Sequence, residues 1–303
     1  MTNIKLWISA FRLRTLPLSV SGIVVASSMA YYNGFFKISI FIFAVLTTIS
    51  LQILSNLAND YGDGIKGTDS QNRIGPERAI QSGKITPEQM VGAIKINILI
   101  VILLVFSLVY SAFKTNNFLY SMLFFVLAFT CIYAALKYTM GSTSYGYRAL
   151  GDISVFLFFG LLSVMGTYFL FSRQLDHVII LPACIIGLLS AGVLNLNNMR
   201  DIESDRASNK ITIAVKLGIT KAKIYHSILI FSALFLSVLF VVLYYKSLSN
   251  FVLIIVFIPL IKHIITIHKI QDPKLLDPQL KILALSTFAL ALLMGIGHIY
   301  NAM

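Results

Sequence analysis

The chain has 303 residues, of which 57% are hydrophobic and only 12% charged, with a mean hydropathy of +0.84 and a formal net charge of +12. A water-soluble domain needs about a quarter of its residues charged to cover its surface, so a soluble globular fold is excluded and the solvent is lipid. The excess of positive charge would suit nucleic acid, but its distribution is that of a topology signal and of contacts with anionic headgroups, and nucleic acid is set aside as a partner.

The amino-terminal residues carry Lys5, Arg12 and Arg14 ahead of an apolar stretch that continues past Pro17 for the length of a full span. No small-residue cleavage site interrupts it, so it reads as the first membrane helix. Apolar runs then recur at roughly 16–34, 38–58, 90–112, 117–137, 153–172, 178–198, 224–245, 249–268 and 280–300. At 1.5 Å per residue each crosses about 30 Å of hydrocarbon. None alternates as a barrel strand would, and backbone in lipid must satisfy itself, so helices follow. The predicted fold is all-α: one domain over 1–303, a polytopic membrane bundle of about nine transmembrane helices.

On this layout all but four of the 24 Lys and Arg residues (Lys37, Lys114, Arg173 and Lys246) fall on one side. The positive-inside rule places that side, and the N-terminus with it, in the cytoplasm. The connections on that side, about 60–89, 138–152, 199–223 and 269–279, are also the longer ones, where function concentrates.

Helix 2 closes on Asn56-Leu-Ala-Asn59-Asp60-Tyr-Gly-Asp63, with Asp69 beyond. Asn56, Asp60 and Asp63 share one helical face, and Gly62, Gly64 and Gly67 are expected to let the chain leave the helix. Arg73, Arg78 and Lys84 follow in the loop. Near the inner end of helix 4, Tyr133 and Lys137 stand four residues apart, and either a phosphate-reaching Lys or a snorkelling one fits. The inner loop 138–152 is polar and aromatic, suited either to capping a site or to an interfacial belt.

Helix 6 closes on Asn197-Asn198-Met-Arg-Asp201-Ile-Glu203-Ser-Asp205, followed by Arg206 and Lys210. Asn197, Asp201 and Asp205 are expected to form a second single-face stripe, with Glu203 turned to water. The pattern Asn-x-x-x-Asp occurs at 56–60 and again at 197–201, an offset of 141 (197 − 56). That echo suggests two four-helix units plus one helix, with both stripes on the same membrane face. The five His residues show no metal spacing, and Cys131 and Cys184 read as small core residues.

Half of the twelve acids (Asp60, Asp63, Asp69, Asp201, Glu203 and Asp205) sit in these two short segments. Solvated helix-end acids are the competing reading. Against it, carboxylates at the negative end of a helix are unfavourable unless a cation balances them. Two facing carboxylate stripes suit Mg²⁺, which prefers oxygen ligands and bridges readily to phosphate oxygens.

Asn59-Asp60-x-x-Asp63, Asp201-x-x-x-Asp205 and Tyr133-x-x-x-Lys137 together resemble the UbiA superfamily of intramembrane aromatic prenyltransferases, along almost the full chain. Within it, Asn59-Asp-Tyr-Gly-Asp-Gly-Ile-Lys-Gly-Thr-Asp69, Arg73-Ile-Gly-Pro-Glu-Arg78, Asn198-Met-Arg-Asp-Ile-Glu-Ser-Asp205 with Lys210-Ile-Thr, and Arg12-x-Arg14-Thr-Leu-Pro17 are similar to the branch that prenylates 1,4-dihydroxy-2-naphthoate. The resemblance implies a bacterial inner-membrane enzyme. Its expected reaction joins a polyprenyl diphosphate to an aromatic acceptor with loss of diphosphate and CO₂, giving demethylmenaquinone. It implies Mg²⁺ on Asp60, Asp63, Asp201 and Asp205, and substrate contacts from Asn56, Asn59, Arg73, Tyr133, Lys137, Asn197, Asn198 and Lys210. The alternatives are a relative acting on 4-hydroxybenzoate or homogentisate, and, from another class, a secondary transporter. A transporter would place its charges near the bilayer midplane.

Overall fold

The computed structural model describes residues 4–68, 74–75 and 78–300. Among them are nine helices long and apolar enough to cross a membrane: α1 (Ile4–Tyr32), α2 (Ile38–Ile65), α3 (Pro87–Phe113), α4 (Phe118–Lys137), α5 (Gly151–Ser172), α6 (His177–Arg200), α7 (Ile213–Leu243), α8 (Leu248–Lys269) and α9 (Pro273–Ile299). Within the described residues the one β-type pairing is an isolated bridge between Arg148 and Ile211.

The outer surface of the bundle is what a lipid solvent selects. On α3 the exposed residues Ile96, Leu99, Ile100, Leu103, Phe106 and Tyr110 recur at helical spacing. In water such a stripe would be a liability. Polar groups turn inward instead: Ser50 of α2 donates to Asn97 of α3 at 2.9 Å, and Asn33 donates to Tyr168 of α5 at 2.7 Å. Between α5 and α6 the helices meet through Gly160 and Gly187, where a methyl on Gly160 would lie 2.6 Å from the Gly187 Cα. Small residues at that crossing let two backbones approach, which is how dispersion holds helices together in lipid. The most enclosed helices are α1, α6 and α9. α4 is peripheral, with Ile132 its single buried residue.

Several helix ends differ from the sequence expectation, each for a local reason. α1 begins at Ile4 and not near 16, because a turn centred on Arg12 (φ 51°) joins the short helix Ile4–Phe11 to Leu16–Tyr32. α3 starts early on a capping box in which Thr86 and Gln89 exchange hydrogen bonds ahead of Pro87. α7 starts at Ile213, eleven residues before the apolar run, because the Thr212 side chain caps Val215. Its apolar run is reached only after an extended break at Gly218 (φ 70°). α5 runs as π-helix from Phe156 to Gly166. A short helix, Ile202–Ala207, lies between α6 and α7.

Candidate active site

The first acidic motif lies inside α2, not beyond its end. Asn56, Asp60 and Asp63 are buried, and the helix continues through Gly62 and Gly64 to Ile65. Those two glycines serve close packing: a methyl on Gly62 would collide with Thr139, and one on Gly64 with Ile80. The exit comes at Gly67, whose φ of 70° favours glycine. The Thr139 hydroxyl donates to the Ala58 carbonyl (3.0 Å) and Asn59 Oδ1 (3.2 Å), fixing the 138–152 loop on α2. Asp60 accepts from the Ala79 N–H at 3.3 Å. Asn56 donates to the Phe11 carbonyl at 2.9 Å, so it also ties α2 to the broken start of α1.

The second motif is not a continuous stripe. α6 stops at Arg200, Asp201 breaks the helix (φ −101°, ψ 13°), and Ile202–Ala207 resumes it. The break lets neighbouring side chains meet: Arg200 Nε and Nη2 reach Asp201 Oδ1 and Oδ2 at 2.9 and 2.7 Å. Consecutive residues on an unbroken helix point about 100° apart and do not face each other. Asp205 follows one turn later, and the Lys210 N–H returns to its carbonyl at 2.8 Å. Glu203 is exposed and pairs with Arg206, as expected of a solvated acid.

The two motifs converge on one ammonium group. Lys210 Nζ lies 3.4 Å from Asp63 Oδ2 and 3.6 Å from Asp205 Oδ1. Burial alone would lower the Lys210 pKa, but Asp63 and Asp205 outweigh it, so the pKa is raised and the side chain stays charged. The Tyr147 hydroxyl donates to Asp63 Oδ1 at 2.8 Å and shares a 2.6 Å hydrogen bond with Thr68. Burial first, and Asp63 second, push the Tyr147 pKa up, which keeps it a neutral donor. Lys66 sits 4.0 Å from the centre of the Tyr147 ring and donates to the Thr139 carbonyl and Ser144 hydroxyl. The loop bearing Tyr147 is pinned across the site, with Ala149 N–H on the Ile211 carbonyl (2.7 Å) and Ile211 N–H on the Tyr147 carbonyl (3.2 Å).

Beneath this cap lies a cavity of about 820 Å³. Asn56, Asn59, Asp60, Asp63, Asn197, Asn198 and Lys210 line its polar head, with Arg12, Arg14, Arg78 and Lys281. Its body is walled by Val105 and Leu108 of α3, Phe124, Leu127 and Cys131 of α4, and Phe158, Phe159 and Leu162 of α5. From Tyr138 to Phe124 the lined face of α4 and of the residue that follows it spans about 21 Å at the helical rise. Asp201 and Asp205 stand behind the wall, reached through Arg200 and Lys210.

Of the sequence-predicted residues, Asp60, Asp63, Asn56, Asn59, Asn197, Asn198 and Lys210 line one cavity, and Asp201 and Asp205 back it. Tyr133 and Lys137 do not line it. α4 faces the cavity with Phe124, Leu127, Ala128, Cys131, Ala134 and Ala135, which leaves Tyr133 63% exposed on the other side and the Lys137 amine beside Gly141. Arg73 and Asp69 lie outside the described residues. Sequence reasoning missed Tyr147, Arg200 and Asp277 as site residues. The signal available was the Tyr-rich inner loop for the first, and for the others only an Arg beside an Asp and an Asp opening the last span.

No group of three or more His, Cys, Asp or Glu is preassembled for a metal among the described residues. The donor set nonetheless fits a hard cation. It consists of buried carboxylate and amide oxygens, and a positive group already sits between carboxylates contributed by both motifs.

The UbiA prenyltransferase family profile matches residues 19–285. The chain is 40% identical over 281 residues to 1,4-dihydroxy-2-naphthoate octaprenyltransferase of Escherichia coli (strain K12), covering 93% of this chain and 91% of that protein. Among solved structures, the apo form of a UbiA homolog from Aeropyrum pernix K1 superposes with a TM-score of 0.71 at 16% identity, over 96% of this chain and 99% of that one. A UbiA homolog from Archaeoglobus fulgidus bound to DMAPP and Mg²⁺ gives a TM-score of 0.57 at 14% identity, over 94% of this chain and 99% of that one.

Proposed function

The chain belongs to the UbiA prenyltransferase family, and we propose that it transfers a polyprenyl group from polyprenyl diphosphate to 1,4-dihydroxy-2-naphthoate. The observation that carries the reading is the meeting of two acidic motifs, from α2 and from the end of α6, at one cation at the head of an apolar cavity. The E. coli relative, 40% identical over most of the chain, supports the choice of acceptor. The bacterial relative supports a bacterial inner membrane, and the uneven distribution of Lys and Arg supports placing the N-terminus and the site loops in the cytoplasm.

Mg²⁺ would be held by Asp60, Asp63, Asp201 and Asp205, and when bound it supplies the positive charge that makes diphosphate a good leaving group. Lys210 and Arg78, which line the cavity head, would meet the phosphate oxygens, and Asn59, Asn197 and Asn198 would add neutral polar contacts. The C–O bond of the donor breaks, its electron pair leaves with diphosphate, and an allylic cation remains. Tyr138, Tyr145, Phe158 and Phe159 line the cavity, and their rings would stabilise that cation. The electron-rich ring carbon bearing the carboxylate attacks it, and loss of CO₂ restores aromaticity, giving the quinol form of demethylmenaquinone. Tyr145 lines the cavity and is held there by donating to the Ala134 carbonyl at 2.9 Å and bonding Ser154 at 3.1 Å, a position from which it would help to exclude the water that would quench the cation. The apolar body of the cavity takes the isoprenoid tail.

The test is Mg²⁺-dependent release of diphosphate by the purified protein given a polyprenyl diphosphate and each of 1,4-dihydroxy-2-naphthoate, 4-hydroxybenzoate and homogentisate. Turnover with the first, lost in Asp60→Ala and in Asp201→Ala while both variants still insert and fold, is the expected result. Turnover with another acceptor alone would move the substrate assignment. Near-normal rates in either Asp variant would remove the site.

A further inference from the structure

We infer that Asp277 and Arg200 are a positioning pair that keeps the Asp201 carboxylate oriented and negatively charged toward the cation site, an inference that rests on the prenyl-transfer reading. The Arg200 side chain is completely buried. Its Nε and Nη2 take both oxygens of Asp201, Nη2 also meets Asn197 Oδ1 at 2.9 Å, and Nη1 meets Asp277 Oδ1 at 2.5 Å. A guanidinium cannot shed its proton, and its planar fork fixes the plane of a carboxylate that it binds through two atoms.

The charge count gives Asp277 its purpose. Arg200 with Asp201 alone would be a neutral pair, and a carboxylate cancelled in this way has little pull on a divalent cation. With Asp277 as a second partner, Arg200, Asp201 and Asp277 carry a net charge of −1, which the half-exposed, solvent-screened Arg14 beside Asp277 offsets only in part. The guanidinium is also drawn toward α9, so that Asp201 is held in place without being fully neutralised. Asp277 lines the cavity from the first turn of the α-helical part of α9, and its other oxygen lies 3.5 Å from Arg14 at the start of α1. A chain of charge therefore runs from the cavity wall at α1 and α9 to the second acidic motif. Outer-shell partners of this kind orient ligands and tune their charge, and losing one weakens metal binding about 10- to 100-fold.

The test uses the full-length protein with Mn²⁺ and inorganic diphosphate together as the probe, with protein-bound Mn²⁺ read by electron paramagnetic resonance. Asp277→Asn keeps the shape and one acceptor but removes the charge, and it is expected to weaken Mn²⁺ binding about tenfold. Asp277→Glu is expected to restore most of the affinity. Equal binding by Asp277→Asn and the wild type overturns the inference. So does equal loss in the Asn and Glu variants, which marks a purely structural tie between α9 and α6. Should Asp277→Asn not fold, Arg14→Gln, at a half-exposed position, releases Asp277 from its other cation and is expected to tighten Mn²⁺ binding about twofold. Unchanged or weaker binding there overturns the pair. Failure of the wild type to release diphosphate in Mg²⁺ would instead sink the prenyl-transfer reading, and the two failures are separately visible.

Discussion

Replacing Lys210 by Met tests whether the two acidic motifs share one cation. The ammonium lies 3.4 and 3.6 Å from carboxylates of the two motifs and its side chain is only 12% exposed. At an effective dielectric of about 20, each attraction is worth about 5 kcal/mol. Burying the three charges recovers several kcal/mol of that as desolvation cost, so removing the cation should leave a net penalty of about 3–5 kcal/mol. In a chain of this size that lowers the thermal midpoint by on the order of 10 °C. Met fills most of the Lys stem, so the loss isolates the charge and leaves the packing nearly intact. The assay is thermal unfolding in detergent, followed by circular dichroism in EDTA and again in millimolar Mg²⁺ with inorganic diphosphate. In the wild type the metal has to displace the ammonium, whereas in Lys210→Met it meets two uncompensated carboxylates. The variant should therefore be the more strongly stabilised by Mg²⁺, and the gap should close by at least half. A gap of equal size in both buffers would show that no divalent cation replaces Lys210, and a shared cation site would be wrong.

Tyr147→Phe removes the hydroxyl that donates to Asp63 and meets Thr68. A hydrogen bond to a charged group is worth about 1.5–3 kcal/mol, so kcat/KM should fall at least about tenfold with the fold intact, and a wild-type rate would exclude Tyr147 from the site. Gly160→Ala places a methyl 2.6 Å from both the Ala183 carbonyl oxygen and the Gly187 Cα. Overpacking of this kind costs about 1–3 kcal/mol and should lower the thermal midpoint, whereas an unchanged midpoint would mean that α5 and α6 do not touch there.

The membrane class and the helix count were legible because lipid leaves the backbone few options and long apolar runs are unambiguous. The first acidic motif was legible because a single helix carries it and the i, i+4, i+7 spacing puts Asn56, Asp60 and Asp63 on one face. The second was half legible: Asp201 and Asp205 do come to stand behind the cavity wall, but spacing assumes a continuous helix, and nothing local announced that Arg200 would turn to its own neighbour. Tyr133 and Lys137 show the limit of periodicity from the other side. Their spacing fixes a shared face of α4, but only packing decides that the face with Ala128, Cys131 and Ala135 looks inward. The partners that complete the site are distant in sequence, with a separation of 77 positions for Arg200 and Asp277 and of 147 for Asp63 and Lys210. Such pairs exist only once the bundle has closed. The glycines after Asp60 were read as exits from the helix, and two of the three serve close packing, because a missing side chain permits a tight approach as well as a turn.

If the chain binds Mg²⁺ and a prenyl diphosphate as proposed, the balance of charge at the cavity head argues that the two would arrive together. The acids there are Asp60, Asp63, Asp201, Asp205 and Asp277, and the bases are Arg12, Arg14, Arg78, Arg200, Lys210 and Lys281, so the two signs nearly cancel. A prenyl diphosphate brings about three negative charges at neutral pH, and buried charge is tolerated only when it is paired. Diphosphate alone would face carboxylates, and a divalent cation alone would face Lys210 between Asp63 and Asp205. Entering as a pair, they change the net charge of the head by about one unit. Lys210 can then leave the carboxylates for a phosphate oxygen without losing an ionic partner. On the proposed reading the same residue holds the two motifs together before substrate arrives and would neutralise the leaving group afterwards. That double use would suit a lysine, with a flexible stem and a single compact charge, while the rigid fork of Arg200 stands where nothing needs to move.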